Sequence, residues 1–505
     1  MKISGFLFFM IGLFTTSEAY AQKIVYSETD RDENRRMTFE VMGKVSGNFL
    51  IYKNYRGKSF VSVYDNDMKQ LVKEEQTAIP DERLINIDFY AYPDHAFMVY
   101  EYQKKNVVYC NAYKVDGMGK KIGEVIELDT SHIGFAGNNK IYSSISSEDK
   151  TQIMVFKVNS RNKSNYILTT LLFDKELSLT KRSRMFIPME ERNDYLGEFS
   201  LDNAGDFVFT KFTRSNNDNV SKVALLWKQA ASDSLLVYGL ALDKIFLDEI
   251  HLKVDNQNKR YFLTSFYYKQ KRGNIEGFYF NVWDKGSRSS VMENAVPLSN
   301  ELRSEAKGQL NAKMAFNDNF INQVIIKKDG GFMIGSESYY TVSRLNNWNR
   351  YDYLYGFPYR YGADYYSYSP YYNSVYWRNR YNSQPTRYHA DNITLLSFDK
   401  TGKVEWSNVI HKEQISDESA DMLSYQVMNT GGQLHLLFNQ PEKRTSLLND
   451  YVLTPNGQLN RNPTLKNLDR DYEFLPKFGK QVSGRQMIIP CYYRNYICFA
   501  KIEYN

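Results

Sequence analysis

The residues most able to do chemistry are scattered along this chain of 505 residues. None of the histidines belongs to a metal-binding pattern such as HExxH, and the chain has no GxSxG nucleophile elbow and no phosphate-binding glycine loop. We therefore expect each histidine to be an ordinary surface or core residue, and we predict neither a metal site nor a cofactor. The six histidines are His95, His132, His251, His389, His411 and His435.

The acidic residues give no local catalytic signature either. The run "DRDEN", residues 30–34, imitates the start of a calcium loop, but Arg35 stands where that loop needs glycine. A charged, solvated chain terminus explains the run better. Asp65 and Asp67 in "YDNDMK" fit a strand-joining turn. Paired carboxylates of the glycosidase kind come from distant parts of a chain, so one sequence does not reveal them.

Only three cysteines occur, Cys110, Cys491 and Cys498, so the chain has no disulfide framework and must rely on an apolar core. Cys491 and Cys498 would face each other if residues 494–495 formed a two-residue hairpin loop. Two outcomes fit this spacing: a disulfide between Cys491 and Cys498, or two buried free thiols.

One stretch has an unusual composition, with 13 of the 41 tyrosines lying in residues 351–388, together with four arginines and no lysine. Tyrosine and tryptophan offer broad contact surfaces with a polar tip, and arginine stacks on their rings. These properties make the stretch a candidate recognition loop. The predicted ligand-binding residues are Arg360, Tyr365, Tyr366, Tyr371, Tyr372, Trp377, Arg378 and Arg380.

Two simpler interpretations of the tyrosine-rich stretch remain open. The loop would cover its own part of the fold with its tyrosines packed inward, or it would be a mobile polar and aromatic tract. A long loop inside a compact domain is uncommon, and such loops tend to be functional or disordered.

The first 21 residues have the features of a cleaved signal peptide. Lys2 precedes the apolar run 6–14, and the small residues Ala19 and Ala21 occupy the cleavage-recognition positions, so Gln22 would begin the mature chain. The apolar run is too short to span a bilayer, and no later segment is long enough. We expect export to the periplasm or the cell exterior, with no transmembrane segment in the mature chain.

Charge and composition set further limits. The net charge of +6 is a mild excess for a chain of this size, and together with the export signal it argues against a nucleic-acid partner. No linker rich in proline, glycine or serine divides the chain. We therefore predict one domain over residues 22–505, and its oligomeric state is left open.

Strand patterns dominate the chain, in short alternating runs such as "NFLIYKNY" and "GFYFNVWD". One short helix is predicted in "SNELRSEAKGQLNAKM", where Ser299 would provide the cap. The strands recur in groups of four at intervals of about 50 to 60 residues, which is typical of the blades of a β-propeller. The predicted groups begin near Arg36, Leu84, Asn138, Asp194, Asp248, Phe316, Met422 and Phe474.

The last group has only three strands, while "KIVYSE" near the N-terminus is a spare strand. Adding this strand to the last group would complete a blade and close the ring, which removes open sheet edges. We therefore predict an all-β propeller with eight blades favoured and seven as the near alternative. The rival architecture is two β-sandwich or barrel domains.

Two segments carry a resemblance to a known repeat. "DGGFMIG" (residues 329–335) and "SFDKTGKVEW" (residues 397–406) resemble a blade repeat of secreted bacterial β-propellers. The resemblance implies a fold and no particular activity. It also places the tyrosine-rich segment, residues 341–392, as an insertion between the second and third strands of one blade. In propellers this connection opens on the face that usually carries the ligand or active site.

Two classes of function are consistent with these features. The favoured one is a non-catalytic binding or scaffold protein of the bacterial envelope, which recognises a glycan, a peptide or a partner protein on the insertion-bearing face. The alternative is a propeller-type polysaccharide hydrolase or lyase, with acidic residues spread around the central channel.

Overall fold

The computed structural model describes residues 22–34, 37–80, 83–134, 140–162, 165–189, 193–214, 218–307, 309–343, 349–350, 354, 386–417, 419–442, 445–462 and 472–504. These residues form antiparallel β-sheets almost throughout. The predicted signal peptide and all eight predicted ligand-binding residues lie outside the described residues, so both remain predictions.

Consecutive strands pair in chain order, so that each sheet is an antiparallel meander. Alternating apolar and polar residues, with polar turns between them, favour this arrangement. The strands of the first three sheets are β2 (Thr38–Val45), β3 (Asn48–Tyr55), β4 (Lys58–Tyr64) and β5 (Gln70–Glu75); β6 (Arg83–Ala91), β7 (Ala96–Lys104), β8 (Val107–Val115) and β9 (Lys121–His132); and β10 (Tyr142–Ser146), β11 (Gln152–Asn162), β12 (Asn165–Asp174) and β13 (Leu179–Pro188).

The next two groups of four are joined into one nine-stranded sheet by the short strand β18, which pairs with β16 and β20. Two separate four-stranded sheets follow. The strands are β14 (Asp194–Leu201), β15 (Phe207–Arg214), β16 (Val220–Lys228), β17 (Leu235–Gly239) and β18 (Phe246–Leu247); β19 (His251–Asp255), β20 (Arg260–Tyr268), β21 (Gly277–Asp284) and β22 (Ser289–Pro297); β23 (Asn319–Ile326), β24 (Phe332–Ser343), β25 (Thr386–Phe398) and β26 (Val404–Ser416); and β27 (Tyr425–Asn429), β28 (Leu434–Glu442), β29 (Thr445–Leu453) and β30 (Leu459–Arg461).

The last sheet combines both ends of the described chain. Its strands are β1 (Lys23–Tyr26), β31 (Tyr472–Phe474), β32 (Lys480–Ser483), β33 (Gln486–Tyr493) and β34 (Tyr496–Glu503). Strand β1 pairs with β34 in antiparallel register, with Ile24 opposite Ile502 and Tyr26 opposite Ala500. The predicted pairing of the N-terminal strand with the C-terminal strand is therefore confirmed.

Helix is scarce in the described ranges. Helix α1 covers Asn300–Lys307 and is followed by a 3-10 helix at Gln309–Met314, and a second short 3-10 helix covers Pro476–Phe478. The Ser299 hydroxyl accepts a hydrogen bond from the backbone N–H of Leu302 at 3.1 Å, which confirms the predicted cap. None of the helices in these ranges is long and apolar enough to cross a bilayer.

Eight buried apolar clusters hold the sheets together, and each cluster is shared by two successive groups of four strands. Phe49, for example, packs with Phe499, so one of these clusters joins the first sheet to the last. Runs of consecutive apolar residues, such as residues 49–52 of β3, make both faces of a sheet apolar where they meet a neighbour, and burial of those faces supplies the main stabilising term. The other clusters join the groups in chain order.

The turn between the third and fourth strands has one recurring geometry. In the turn after β25, a side-chain oxygen of Asp399 accepts hydrogen bonds from the N–H groups two and four residues later, at 2.7 and 3.0 Å. Asp65, Asp116 and Asp174 do the same after β4, β8 and β12. The predicted turn role of Asp65 is thus confirmed, and the aspartate satisfies backbone donors that the sheet leaves unpaired.

Glycine and tryptophan in this turn have packing roles. Gly402 has a φ of +80°, and a Cβ atom there would lie 2.6 Å from the Phe280 ring of the preceding sheet. A Cβ atom on Gly457 would lie 2.6 Å from the Trp406 ring. The two glycines therefore allow each turn to approach the sheet before it.

The tyrosine-rich insertion is shorter than predicted. Strands β24 and β25 continue their pairing to Ser343 and Thr386, with Thr341 opposite Tyr388. The predicted loop boundaries of 341 and 392 are therefore wrong, because the residues next to the insertion extend the strand ladder. The insertion lies between Ser343 and Thr386.

The acidic run at residues 30–34 is only partly the solvated segment that its composition suggests, since Arg31, Asp32 and Asn34 are exposed but Glu33 is not. Glu33 is almost fully buried, with 2% of its side chain exposed, and binds the buried Lys53 ammonium at 2.5 Å. Lys73 contacts Glu33 at 3.0 Å and Asp30 at 2.8 Å. Lysine from the first sheet therefore fixes the segment that follows β1, since a buried carboxylate needs a cationic partner.

The predicted hairpin loop at residues 494–495 is confirmed, because Tyr493 pairs with Tyr496 and Cys491 lies opposite Cys498. Both thiols are buried and free, with their sulfur atoms 2.8 Å apart. Burial raises the pKa of the Cys491 thiol well above its usual range, and the Cys498 sulfur adds to the rise. The disulfide remains a prediction.

The turn packing yields a stability prediction. The Gly402→Ala variant should lose about 1–2 kcal/mol because alanine resists a positive φ. It should lose a further ~1–3 kcal/mol because its methyl group meets the buried Phe280 ring. The matched control is Gly431→Ala, since Gly431 also has a positive φ of +90° but has open space where a Cβ would lie. Urea denaturation of both variants measures the difference, and equal losses would contradict the packing role.

Candidate acid–base site

The first strands of successive groups contact one another, at β2 and β6, β10 and β14, β14 and β19, β19 and β23, and β32 and β2. These first strands therefore lie side by side, which brings polar side chains from different sheets near one another. Register shifts interrupt the pairing of β2, β6, β14 and β23 with their second strands. Such bulges re-aim side chains and are frequent next to active sites.

Glu198 lies in the bulge of β14, where the pairing shifts between Gly197 and Ser200. Its φ is +53°, which is rare for any residue other than glycine. Its side-chain oxygen Oε2 accepts a hydrogen bond from the backbone N–H of Leu252 at 2.9 Å, which links β14 to β19. Backbone outliers of this kind cost about 1–3 kcal/mol and cluster at functional sites.

Glu249 and His251 come from the start of β19. The Nε2 atom of His251 lies 3.7 Å from the Oε2 atom of Glu249. This distance is too long for a hydrogen bond, and His251 Nε2 has no hydrogen-bond partner among the described residues. Both side chains are half-buried. We call Glu198, Glu249 and His251 the acid–base cluster.

An arginine from the insertion binds beside this cluster. Arg350 donates to the Asp248 carboxylate through Nε at 2.9 Å and also through its terminal nitrogen. Its guanidinium lies 4.0 Å from the centre of the Phe320 ring. Both members of the pair are buried, with 7% and 1% of their side chains exposed. Residue 350 of the tyrosine-rich insertion is therefore held next to the acid–base cluster.

Burial is the largest influence on all three pKa values. Burial and the Asp248 carboxylate raise the pKa of Glu249 to about 7, and Arg350 opposes this rise. Burial also raises the pKa of Glu198, against the effect of His251 and the Leu252 N–H. Burial lowers the pKa of His251, while Glu198 and Asp248 partly offset the effect. Near neutral pH, a protonated carboxyl group and a neutral imidazole can therefore exist side by side.

A second acidic group lies on β2, β6 and β7. Burial raises the pKa of Glu40 to about 7; Lys480 opposes the rise and Asp88 adds to it. Burial likewise raises the pKa of Glu101 to about 8, while the Ile141 N–H, which donates to it at 2.7 Å, acts against the rise. Glu101 is almost fully buried, so we assign it a structural role.

The sequence did not reveal this cluster. The segment 248–251, "DEIH", was its only local signal, and His251 was expected to be an ordinary histidine. Glu198 gave no signal, because its bulge and its contact with β19 arise only in the folded chain. Among the described residues, no group of His, Cys, Asp and Glu is arranged to hold a metal ion.

Three of the other histidines have ordinary partners. His95 lies 2.9 Å from the Asp94 carboxylate, and the His389 ring stacks on Tyr340 with the ring centres 4.5 Å apart. His435 lies 3.1 Å from Asp450. None of these three contacts the acid–base cluster.

Comparisons with known proteins give only distant structural similarity. No protein-family model matches the chain, and no curated protein matches it. Prolyl oligopeptidase B from Galerina marginata has 8% identity and a TM-score of 0.42, over 92% of this chain and 56% of its own. The polysaccharide lyase Uly1 has 10% identity and a TM-score of 0.38, and the match covers 95% of this chain and 99% of the Uly1 chain. An ulvan lyase from a new polysaccharide lyase family has 9% identity and a TM-score of 0.36, and the match covers 81% of this chain and 90% of the ulvan lyase chain.

The chain spans about half the length of the prolyl oligopeptidase and prolyl endopeptidase chains to which it is similar. Scores this low do not establish a shared fold. These similarities therefore identify neither the fold nor the activity of this chain.

The raised pKa of Glu249 yields a prediction about stability. A pKa of about 7 in the folded state lies above the value of about 4.3 expected when unfolded, so the folded state binds the proton more tightly. The contribution of Glu249 is then fully present below about pH 4.3 and is lost as the pH rises through about 7. Glu249→Gln should be more stable than the native protein at pH 8, and this advantage should shrink on acidification.

Thermal unfolding from pH 5 to pH 8 measures this effect. The matched control is Glu413→Gln, because Glu413 is an exposed residue of β26. A difference between Glu249→Gln and the native protein that is the same at both pH values would contradict the assignment.

Proposed function

We propose that the sheets are the blades of an eight-bladed β-propeller and that β1 closes its ring. Three features support this proposal: the division of the described strands into seven groups of four and a last sheet of five, the apolar clusters shared by successive groups, and the pairing of β1 with β34. The blade repeat suggested by residues 329–335 and 397–406 remains part of the same proposal, with Asp399, Gly402 and Trp406 in the roles described above.

We further propose that the protein is a polysaccharide lyase or hydrolase that works by general acid–base catalysis. The observation that carries this proposal is the acid–base cluster, where Glu249 and His251 are 3.7 Å apart and have pKa values shifted in opposite directions. Titratable groups whose environments move their pKa values in this way are typical of catalytic acids and bases.

The roles follow from the protonation states. Glu249 is the proton donor, since about half of its carboxyl groups are protonated near pH 7. His251 is the proton acceptor, because burial keeps its imidazole neutral. Glu198 holds the start of β19 through its hydrogen bond to Leu252. Its charge also acts on the His251 imidazole, where it partly offsets the lowering of the pKa by burial. Glu198 is therefore a positioning residue.

The short separation favours elimination over hydrolysis. In inverting hydrolysis the acid and the base flank the glycosidic bond at about 6.5–9.5 Å, which leaves room for a water molecule. In elimination, a base removes the proton from the carbon next to the carboxyl group of a uronic acid, and an acid protonates the departing glycosidic oxygen as the C–O bond breaks. Two adjacent groups on one side of the sugar can do both.

The second candidate is a non-catalytic binding or scaffold protein for an envelope glycan, peptide or partner protein. The observation that favours it is the Arg350–Asp248 pair, which holds one residue of the insertion beside the same first strands. In both proposals the location in the cell envelope rests on the predicted signal peptide.

A direct assay tests catalysis. The purified protein is incubated with a panel of uronic-acid-containing and neutral polysaccharides. Elimination is followed by the ultraviolet absorbance of the new C=C bond, and hydrolysis by reducing ends without that absorbance. Glu249→Gln and His251→Asn should each lower kcat about 10²–10⁴-fold, because each removes one proton-transfer group.

The controls are Glu413→Gln and His411→Asn, which change exposed residues of β26 and should leave the rate unchanged. The native enzyme should also lose activity as the pH rises above about 7, when Glu249 loses its proton. Equal activity of the native protein and Glu249→Gln on every substrate that is cleaved would refute the assigned roles.

The insertion can be tested separately. Replacing all of residues 345–388 would remove Arg350 and leave Asp248 buried without its partner, at a cost of about 3–5 kcal/mol. A replacement of that extent should therefore lower the unfolding temperature. Replacing residues 355–385 by a short Gly/Ser link keeps Arg350, and the variant should unfold at the native temperature, because loop length costs little entropy.

The same variant should lose affinity for glycans on an array that the native protein binds. Arg350→Met, with the full insertion retained, is the contrasting variant and should lower the unfolding temperature. Undiminished glycan binding by the 355–385 replacement would exclude a ligand-binding role for the insertion.

A further inference from the structure

Asp450 of β29 is a fully buried carboxylate with an unusual set of neighbours. Its side-chain oxygens lie 3.1 Å from His435 Nδ1. Asn462 donates to the carboxylate at 2.9 Å, and the Tyr504 hydroxyl donates at 3.1 Å. The remaining donor is the side-chain amide of Gln22. Elements from both ends of the described chain therefore meet at this one carboxylate.

Among the described residues of this shell, the partner of Asp450 that can carry a positive charge is the His435 imidazole, and it does so only when it is protonated. Among the described residues, no lysine or arginine forms an ion pair with it, and the nearby Arg461 donates to the Asn449 side chain at 2.6 Å. Neutral donors satisfy a buried carboxylate only in part, because removal of its charge from water is costly unless a cation compensates it. The site therefore suits one additional positive charge.

Gln22 is also the residue at which the predicted signal peptidase cleavage would start the mature chain. Before cleavage, its backbone nitrogen belongs to a neutral peptide bond. After cleavage, the same nitrogen is an ammonium group within one side-chain length of the amide that contacts Asp450. We propose that the Asp450 site binds the α-ammonium group of the processed N-terminus at Gln22.

Processing would then complete the pairing of the chain ends. Strand β1 begins at the next residue, Lys23, and pairs with β34, whose neighbour Tyr504 also binds Asp450. An ammonium group on Asp450 fixes the free end of β1, whereas an uncleaved or acetylated terminus leaves the carboxylate with the His435 imidazole and the amide and hydroxyl donors. The processed chain is therefore more stable than the same chain with an extension.

The site also opposes a common modification. An N-terminal glutamine cyclises when its α-amine attacks the side-chain amide carbon; a C–N bond forms in the ring, the bond to the amide nitrogen breaks, and ammonia leaves. Attack requires the uncharged amine, and it destroys the amide that contacts Asp450. A terminus bound as ammonium should therefore remain uncyclised in the folded protein.

The test compares one folded sample before and after cleavage. The leader is replaced by a soluble tag that ends in a protease site releasing Gln22 with no extra residue. Cleavage should raise the unfolding temperature by roughly 2–5 °C. In the Asp450→Asn variant, cleavage should change it little. An increase of the same size in Asp450→Asn, or none in the native sequence, would overturn the proposal.

Amine labelling provides a second measurement that does not depend on the folding of a variant. In the cleaved native protein, the α-amine should react with an acylating reagent about tenfold or more slowly than in the unfolded chain, because the carboxylate holds it in its charged form. The exposed Lys23 side chain is the internal control in the same peptide. Mass spectrometry of protein exported by its native host should show an uncyclised Gln22. Equal protection factors for the two amines, or a different N-terminus, would refute the proposal.

Discussion

The pairing of apolar sheet faces is the constraint on which the rest of this structure depends. Each sheet presents apolar side chains to the sheets beside it, and no face is covered until the next group of strands is in place. The cluster that contains Phe49 and Phe499 places the last sheet against the first. The contacts of β1 with β34 and of Lys53 with Glu33 secure the same junction. Burial of apolar side chains thus determines which sheets lie next to each other, while polar contacts hold the two ends of the described chain together.

The acid–base cluster is a product of that packing. Glu198 lies on one group of strands, and Glu249 and His251 lie at the start of the next, so the cluster exists only because β14 and β19 are adjacent. The bulge that turns Glu198 toward Leu252 carries a backbone cost that the surrounding sheet must offset. Arg350 of the insertion pairs with Asp248 next to the same cluster, so one residue of the insertion depends on the same framework.

Local rules predicted the repeated elements well. Strand alternation, the aspartate turns, the Ser299 cap and the hairpin at residues 494–495 all depend on neighbours within a few residues, and each follows from the sequence. The acid–base cluster could not be predicted from local sequence. The φ of Glu198, the environment of Glu249 and the pairing of Arg350 with Asp248 are all fixed by segments distant in sequence. Glu33 shows the same limit, since its burial depends on Lys53 across the first sheet.

The pairing of β1 with β34 has a consequence for how the chain acquires its structure. A ribosome makes β1 long before β34, and the contact between them joins residues as distant in sequence as Ile24 and Ile502. Contacts of such high order form slowly, and the edges of the early sheets stay open in the meantime. The pairing of β1 must therefore wait until β34 has been made, and until then these edges are open to pairing with other molecules.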